Sequence, residues 1–370
     1  MICKVCKRDL PISASLGVCK GCIERRFEKS KPFIEKAHSI RKFYGLPVFP
    51  PRSKGGIKCN ICGNECILVD GEVGFCGLSQ NKKGKLIRKV GNEDLGLISW
   101  YKDWHPTNCV AVNWCAGGTG AGYPKYAKRQ TTEYGYANAS IFCGTCSYHC
   151  LFCQNTSWHD MIRFKSETIK AEELVSNILR DETYTCVCWF GGDPSCQAPF
   201  VWNVSHKLRK EAKRNERILR ICLETNGNFS WYWLKRIARI CLESGGGIKF
   251  DLKFPPKSLC NIALCGVDNE VTYKNFERLL DFHQKRPEVP FLRASTLLIP
   301  HYLSLKDIEE IAKFIVSLDK TIPYSLLAFF PHYEMSDINL TKRSFALECL
   351  KICKKVGLEK VRIGNVHLLV

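Results

Sequence analysis

The sequence predicts an α/β protein in which a partial (β/α)6 barrel follows a cysteine-rich, metal-binding N-terminal extension. After about residue 130, short β-rich runs alternate with amphipathic helical stretches, which indicates βα units and a parallel sheet. Before that point the chain is rich in Cys, Gly and Lys, and only a basic helical stretch between residues 22 and 45 shows periodicity. Six βα units are too few for a closed eight-stranded barrel, so we expect an open one.

Seven β-rich runs are the strand candidates of this barrel. They are residues 139–143, 184–190, 218–224, 247–253, 291–299, 324–330 and 361–363. The stretches between them carry apolar residues at helical spacing. Three such faces are Leu174, Ile178 and Leu179; Leu234, Ile237, Ala238 and Cys241; and Ile308, Ile311, Ala312 and Ile315. Ser304 and Asp307 have capping-box spacing, and a last helix is expected over residues 341–357.

Length and composition indicate a folded protein with a sizeable core. The chain has 370 residues, of which 45% are hydrophobic, and this argues against disorder. It contains no apolar run of about eighteen residues, and the segment after Met1 lacks the layout of a signal peptide. We therefore expect a cytoplasmic protein with no membrane partner.

The cysteine content and the charge point to metal sites and to an anionic partner. In a reducing compartment, 23 cysteines are more typical of metal ligands and catalytic groups than of disulfides. The formal net charge of +19 is compatible with nucleic-acid binding, although charge reports on attraction and solubility rather than on fold.

Three cysteines occur together just after the first predicted strand. Cys146, Cys150 and Cys153 form a CxxxCxxC loop at the carboxyl end of that strand, where βα folds carry their active sites. Three thiolates from one loop can ligate three irons of a [4Fe-4S] cluster and leave the fourth iron open to a small molecule. The alternatives are a chance spacing in a cysteine-rich chain and a zinc site.

The loop resembles the signature of the radical S-adenosylmethionine (SAM) superfamily, including the aromatic Phe152 before the last cysteine. The turn Gly191-Gly192-Asp193-Pro194, at the end of the second predicted strand, is similar to the GGEP motif of that family, with Asp in place of Glu. The resemblance implies a radical SAM barrel, and it implies that the backbone of this turn receives the amino group of SAM.

Motifs on the later strands resemble those of the glycyl-radical-enzyme (pyruvate formate-lyase) activases. They are Glu224-Thr225-Asn226-Gly227, Asp251-Leu252-Lys253, Arg293 and Phe330-Pro331-His332. By that resemblance Glu224, Asn226, Asp251, Lys253 and Arg293 would contact SAM, and His332 would lie near its adenosine. The alternatives are a salt bridge at a strand end for Asp251 and Lys253, and a hydrogen-bonded loop histidine for His332.

From about residue 57 to 370 the chain resembles the radical SAM member of the AmmeMemoRadiSam group. The resemblance rests on the cysteine stretch from Cys59 to Cys76, which ends in Gly-Phe-Cys, and on Gly364-Asn365-Val366. The chain departs from that pattern over residues 100–135, which include Trp114-Cys115-Ala116-Gly117-Gly118.

Two further metal sites are predicted before the barrel. Cys3, Cys6, Cys19 and Cys22 form paired CxxC knuckles, typical of a zinc ribbon, with rubredoxin-like iron as the alternative. Cys59, Cys62, Cys66 and Cys76 are predicted to hold zinc or an auxiliary iron–sulfur cluster. The predicted domains are a zinc-ribbon-like module of four cysteines with a basic helix (1–45), a Cys-rich segment with the second site (46–130) and the barrel (131–370).

The remaining cysteines fall into two groups. Cys186, Cys188, Cys222, Cys241, Cys349 and Cys353 lie in predicted strands or helices, where a free thiol is expected to pack as a small hydrophobe. Cys109, Cys115 and Cys143 lie close to the cluster loop along the chain and are secondary candidates for function.

The predicted function is reductive cleavage of SAM to a 5′-deoxyadenosyl radical, which removes a hydrogen atom from a substrate. The resemblance to activases favours a protein or peptide substrate, and implies an electron donor such as flavodoxin or ferredoxin. An RNA-modifying enzyme is the first alternative, because of the charge and the zinc-ribbon candidate. A non-enzymatic zinc protein that binds nucleic acid is the second.

Overall fold

The computed structural model describes residues 1–370, which contain thirteen strands and twelve α-helices. The strands are β1 (Ile57–Lys58), β2 (Ile67–Leu68), β3 (Gln80–Lys82), β4 (Lys85–Ile87), β5 (Leu95–Trp104), β6 (Ala137–Cys143), β7 (Thr168–Lys170), β8 (Tyr184–Gly191), β9 (Arg220–Thr225), β10 (Ile248–Asp251), β11 (Leu292–Leu298), β12 (Tyr324–Ala328) and β13 (Val361–Gly364). The helices are α1 (Lys20–Arg25), α2 (Phe27–His38), α3 (Ala116–Thr119), α4 (Trp158–Phe164), α5 (Ala171–Arg180), α6 (Ala198–Arg214), α7 (Trp231–Ser244), α8 (Leu259–Cys265), α9 (Glu270–Arg278), α10 (Leu280–Gln284), α11 (Leu305–Leu318) and α12 (Arg343–Val356).

One nine-stranded sheet carries the fold, in the order β13-β12-β11-β10-β9-β8-β6-β5-β7. The seven strands from β13 to β6 are mutually parallel, and each of the seven predicted runs forms one of them. Helical segments separate each strand from the next along the chain. The predicted α/β fold with a partial barrel is therefore confirmed.

Strands β5 and β7 were not predicted from the sequence. β5 pairs antiparallel with β6 over Ile98 to Trp104, and β7 pairs antiparallel with β5. Three consecutive residues of β5, Gly96, Leu97 and Ile98, are buried. The strand therefore lacks the alternation of buried and exposed residues that is typical of a strand with one face in solvent. Pairing with β6, which is distant along the chain, makes this segment a strand.

The two faces of each parallel strand have different neighbours. On β8, Val187 and Trp189 are fully buried, and the Trp189 Nε1 donates a hydrogen bond to Ser205 Oγ of α6 at 3.0 Å. Cys186 and Cys188 alternate with them and point into the barrel. The helix layer is thus held by apolar residues, whereas the interior is lined by thiols and polar groups.

The predicted helix faces and cap are confirmed. The apolar faces on α7 and α11 are fully buried, as are Leu174 and Ile178 of α5, while Leu179 is half-buried. Ser304 and Asp307 form the capping box of α11 in both directions. Gly357 ends α12 with φ of +113°, a left-handed conformation that favours glycine.

The N-terminal segment packs against the barrel. Tyr302, just before α11, accepts a hydrogen bond from Ser13 N at 3.0 Å and donates one to Val18 O at 3.1 Å. Lys20 forms an ion pair with Asp307, and Ile23 is fully buried in the same continuous core as the barrel helices. The division of the chain at residues 45 and 130 stays a prediction.

Candidate active site and metal centres

The three predicted cluster cysteines open onto one cavity of about 290 Å³ at the carboxyl ends of the parallel strands, which we call the mouth cavity. Cys146 is almost fully buried, and Cys150 and Cys153 are partly exposed to the cavity. Its other walls include residues from the ends of β8 to β11. They are Gly191, Gly192, Asp193, Glu224, Thr225, Asn226, Lys249, Asp251, Lys253, Ser295 and Leu297.

The glycine turn lies directly against the cysteine loop. Gly192 N donates to Cys143 O at 2.9 Å, and Asp193 N donates to Thr145 O at 2.7 Å. A Cβ on Gly192 would lie 2.2 Å from Thr145 O, so a side chain has no room there. Gly191 has φ of +105°, which also requires glycine. The turn therefore supports the cysteine loop from beneath, with Pro194 buried behind it.

Asp193 joins two turns of the site. Its carboxylate accepts hydrogen bonds from Ser195 N at 2.9 Å, Thr225 Oγ1 at 2.9 Å and Asn226 N at 2.7 Å. Burial raises the pKa of this carboxyl group. Asn226 in turn lies 3.7 Å from Cys146 Sγ through its Nδ2. Asp193 thus holds the turn after β9 next to the cluster loop.

Four charged side chains form a ladder across the ends of β9 and β10. Lys249 Nζ lies 3.4 Å from a Glu224 oxygen and 2.7 Å from Asp251 Oδ1. Lys253 Nζ lies 3.4 Å from the other Asp251 oxygen. Burial disfavours the charged form of Lys253, but the Asp251 carboxylate raises its pKa well above the usual value. The ladder keeps a cation next to the cysteine loop, and the sequence reasoning missed Lys249 because it lies inside a strand.

His332 and Arg293 lie apart from the ladder. The His332 side chain is 2.7 Å from Cys153 O through Nδ1, so it contacts the last turn of the cluster loop. Arg293 of β11 lines a different, deeper chamber. Cys265 was missed by the sequence reasoning, and its thiol lies near that of Cys150. Nothing in its local sequence distinguishes Cys265 from a core cysteine.

The four N-terminal knuckle cysteines converge. The sulfur atoms of Cys3, Cys6, Cys19 and Cys22 all lie within 4.8 Å of one another, with Cys3 and Cys22 at 3.8 Å and Cys6 and Cys19 at 4.0 Å. Four sulfurs around one ion with bonds of about 2.3 Å would be about 3.8 Å apart. The group therefore fits a single tetrahedral metal ion.

The second cysteine group is spaced more widely. Cys59, Cys62, Cys66 and Cys76 are all buried, yet no three of their sulfurs lie within 4.8 Å of one another. The thiol of a fifth cysteine, Cys196, is buried near those of Cys62 and Cys76. Cys196 follows the glycine turn, and no spacing in the sequence connects it with this group.

Arg41 is a buried cation near Cys146 of the cluster loop and Cys76 of the second cysteine group. It is 0% exposed, and its guanidinium stacks on Phe75 with 3.6 Å between the guanidinium carbon and the ring centroid. One of its nitrogens, Nη1, has no hydrogen-bond partner. Burial lowers its pKa to about 10, and negative charge on Cys146, Tyr333, Cys76 or Cys196 would oppose that shift.

The chain is similar to a family model, to a curated relative and to solved structures. Residues 140–315 match the family model described as Radical SAM superfamily. An uncharacterized protein of Methanocaldococcus jannaschii is 24% identical over 332 residues, which cover 84% of this chain and 81% of the relative. Solved structures of anSMEcpe with bound AdoMet, alone or with a Cp18Cys peptide, are 15% identical with TM-scores of 0.35 and 0.38. The matches cover 49% and 59% of this chain, and 48% and 60% of those structures.

The partial barrel and the three-cysteine loop at its mouth define a radical SAM domain, which spans residues 140–315. The chain is accordingly an enzyme that contains a radical SAM domain. A radical SAM domain implies an iron–sulfur cluster and SAM, and the non-enzymatic alternative is not retained. None of the helices in residues 1–370 is both long and apolar enough to cross a membrane.

Proposed function

We propose that Cys146, Cys150 and Cys153 hold a [4Fe-4S] cluster at which SAM is reductively cleaved, and that the radical so formed abstracts a hydrogen atom from a substrate. When bound, the cluster supplies the electron that breaks the S–C5′ bond of SAM and yields the 5′-deoxyadenosyl radical. The observation that carries the proposal is the single cavity shared by the three thiols, the glycine turn and Lys253. The direct test is 5′-deoxyadenosine formation after anaerobic reconstitution and reduction.

The residues around the mouth cavity have distinct tasks in this proposal. Lys253, held by Asp251, supplies positive charge beside the thiolates and is suited to the carboxylate of SAM. The backbone of Gly191 and Gly192 and the side chains of Glu224 and Asn226 offer hydrogen bonds to its polar groups. His332 orders the last turn of the cluster loop, and we propose that it borders the adenosine.

Lys253→Met is expected to weaken SAM binding by about tenfold or more, because it removes the cation next to the cluster loop. Lys253→Arg keeps the charge and is expected to retain most of the affinity. The measurement is SAM binding to the reconstituted protein by equilibrium dialysis, with the cluster absorbance recorded in parallel. If Lys253→Met loses the cluster itself, the lysine is structural and the ion pair with Asp251 is its role.

We further propose that Cys59, Cys62, Cys66 and Cys76 bind an auxiliary iron–sulfur cluster rather than zinc. In a cubane cluster the cysteine sulfurs would be bound to different irons and so lie further apart than on one zinc ion, where they would be about 3.8 Å apart. The absence of any three sulfurs within 4.8 Å favours the wider arrangement.

The buried Arg41 supports the same conclusion. A guanidinium with no exposed surface and an unpartnered nitrogen is costly unless negative charge lies nearby. Its neighbours Cys146 and Cys76 belong to the two proposed cluster sites, and thiolate-ligated clusters are anionic. Arg41 thus fits a role as counter-charge to both.

Cys66→Ala is expected to lower the iron content of the reconstituted protein from about eight to about four atoms per chain, because one four-iron cluster is lost. Cys349→Ala, a buried thiol on α12, is the control and should keep all the iron. Iron and sulfide analysis with Mössbauer spectroscopy measures this. Unchanged iron in Cys66→Ala, accompanied by a loss of zinc, would contradict the auxiliary cluster.

For the substrate class, the resemblance to activases favours a protein or peptide, with flavodoxin or ferredoxin as electron donor. For the N-terminal group of four cysteines we propose zinc, with iron as the alternative that metal analysis decides. The proposed units remain a four-cysteine module with a basic helix over 1–45, a Cys-rich segment over 46–130 and the barrel over 131–370.

An RNA substrate is the second candidate, and one surface favours it. A groove between α6 and α7 is lined by basic and aromatic side chains, including Trp202, Arg209, Lys213, Tyr232 and Arg236. The Arg236 guanidinium carbon lies 4.2 Å from the Trp202 ring centroid. Basic grooves with aromatic platforms are typical of single-stranded nucleic-acid binding. RNA binding that weakens steeply with salt would favour this candidate over a peptide substrate.

A further inference from the structure

A second chamber, of about 330 Å³, lies inside the barrel directly below the mouth cavity, and we call it the lumen chamber. The two spaces share the lining residues Asn155, Phe190, Glu224 and Lys249. On strands β8 to β11, the residues that line the lumen chamber come earlier along the strand than those that line the mouth cavity. The lumen residues on β8, β9 and β11 include Cys186, Cys188, Arg220, Cys222 and Arg293. The chamber is therefore the deeper part of one continuous space.

The segment that departs from the family resemblance forms part of the chamber wall. Thr107, Asn108, Cys109, Ala111 and Cys115 line it. Cys109 Sγ donates a hydrogen bond to Glu224 Oε1 at 3.0 Å, at the junction with the mouth cavity. The wall peculiar to this chain thus reaches the point where the two spaces meet.

Five thiols line this chamber, although Cys186, Cys188 and Cys222 were expected from the sequence to pack as small hydrophobes. The strand alternation turns them toward the barrel interior, which is not filled by side chains. Cys143, the remaining secondary candidate, is fully buried and lines neither space.

Arg293 is the lining cation without an acidic partner. Arg220 pairs with Glu133 at 2.6 Å, and Lys249 pairs with Asp251 and Glu224. Arg293 is 3% exposed, forms no ion pair, and its Nε has no hydrogen-bond partner. Asp103 and Glu224 line the same chamber, but neither comes within 4.0 Å of the guanidinium. A buried guanidinium left in this state is costly, and a ligand carboxylate would compensate it with two parallel hydrogen bonds.

We propose that the lumen chamber is the substrate site and that Arg293 binds a carboxylate of the substrate. This inference rests on the proposed function, because the radical would form in the adjoining mouth cavity. A group bound to Arg293 would lie in the space next to the mouth cavity, with Glu224 and Lys249 at the boundary. The chamber volume fits a small acid or a single acidic side chain of a peptide, and both present the same carboxylate to Arg293.

The competing role for Arg293 is a contact to SAM, as the family resemblance implies. Two observations speak against it. The residues of β11 that line the mouth cavity are Ser295 and Leu297, which lie further along the strand than Arg293. Lys253 already provides a cation next to the cluster loop. The two roles differ in which ligand loses affinity when Arg293 is changed.

The test is equilibrium binding of radiolabelled acetate to the reconstituted full-length protein with SAM present and no reductant. Acetate is small enough to enter any site built for a carboxylate. Arg293→Gln is expected to weaken acetate binding by about tenfold or more, while SAM affinity stays within about twofold. Arg293→Lys keeps the positive charge. Acetate binding by this variant would show that the loss in Arg293→Gln comes from the missing charge and not from misfolding. Arg362→Gln, on β13 and outside both spaces, is the matched control and should bind like the wild type.

Competition identifies the source of the carboxylate. Stronger displacement of acetate by glutarate indicates a free acid, and stronger displacement by a blocked tripeptide with a central glutamate indicates a peptide side chain. The proposal is overturned if Arg293→Gln binds acetate as well as the wild type does, or if it loses SAM affinity to the same degree. Because no reductant is present, these results are independent of whether SAM is cleaved.

Discussion

Cys146→Ala, Cys150→Ala and Cys153→Ala are each expected to abolish SAM cleavage. Each substitution removes one of the three proposed cluster ligands, which share the mouth cavity. Because even residues behind metal ligands affect activity by about 10- to 100-fold, loss of a ligand should exceed about a hundredfold. The measurement is 5′-deoxyadenosine formed per chain after anaerobic reconstitution and reduction, with iron content determined on the same samples.

Cys265→Ala is the matched control, because this thiol is buried near Cys150 without belonging to the CxxxCxxC loop. It should keep both the iron and the cleavage activity. Wild-type activity in any one of the three loop variants would remove the basis of the cluster assignment. Equal loss in Cys265→Ala would instead assign a ligand role to that cysteine.

Cys22→Ser is expected to remove one metal ion per chain and to unfold the N-terminal segment through α1 locally. Four thiolates within 4.8 Å of one another hold this segment, and a bound ion contributes on the order of 10 kcal/mol to the folding of such small modules. Metal analysis and limited proteolysis measure the loss, and 5′-deoxyadenosine formation should persist because the barrel keeps its own thiols.

A point substitution is preferable to deletion of residues 1–45. His38 and Arg41 are 0% exposed, and His38 Nδ1 lies 2.7 Å from Nδ1 of His149 in the cluster loop. Deletion would uncover the loop as well as remove the metal. If Cys22→Ser lost SAM cleavage as severely as Cys146→Ala, the N-terminal metal would belong to the catalytic core or to its electron supply.

Local sequence patterns were sufficient for the barrel. Each parallel strand is a short β-rich run, and the helices between them repeat apolar residues at helical spacing, so both can be identified without knowledge of their partners. Strand β5 was not predicted, because its buried residues do not alternate with exposed ones. It forms a strand only because it pairs with β6.

In the proposed metal sites, too, some cysteines can be identified from local sequence and others only from the tertiary fold. The CxxxCxxC loop and the CxxC knuckles bring their ligands together over short stretches of chain, so spacing alone indicates them. Cys196 and Cys265 approach Cys76 and Cys150 only through the tertiary fold, and no spacing signals either contact.

The sequence by itself determined the α/β class, the order of the strands along the chain, the three-cysteine loop and the paired knuckles, because each depends on residues close together in the chain. Only the tertiary structure decided that Arg41 is buried near Cys146 and Cys76 and that Arg293 faces the lumen chamber rather than the mouth cavity. The physical reason is that burial and charge compensation depend on neighbours from distant segments, and side-chain periodicity carries no information about which segments those are.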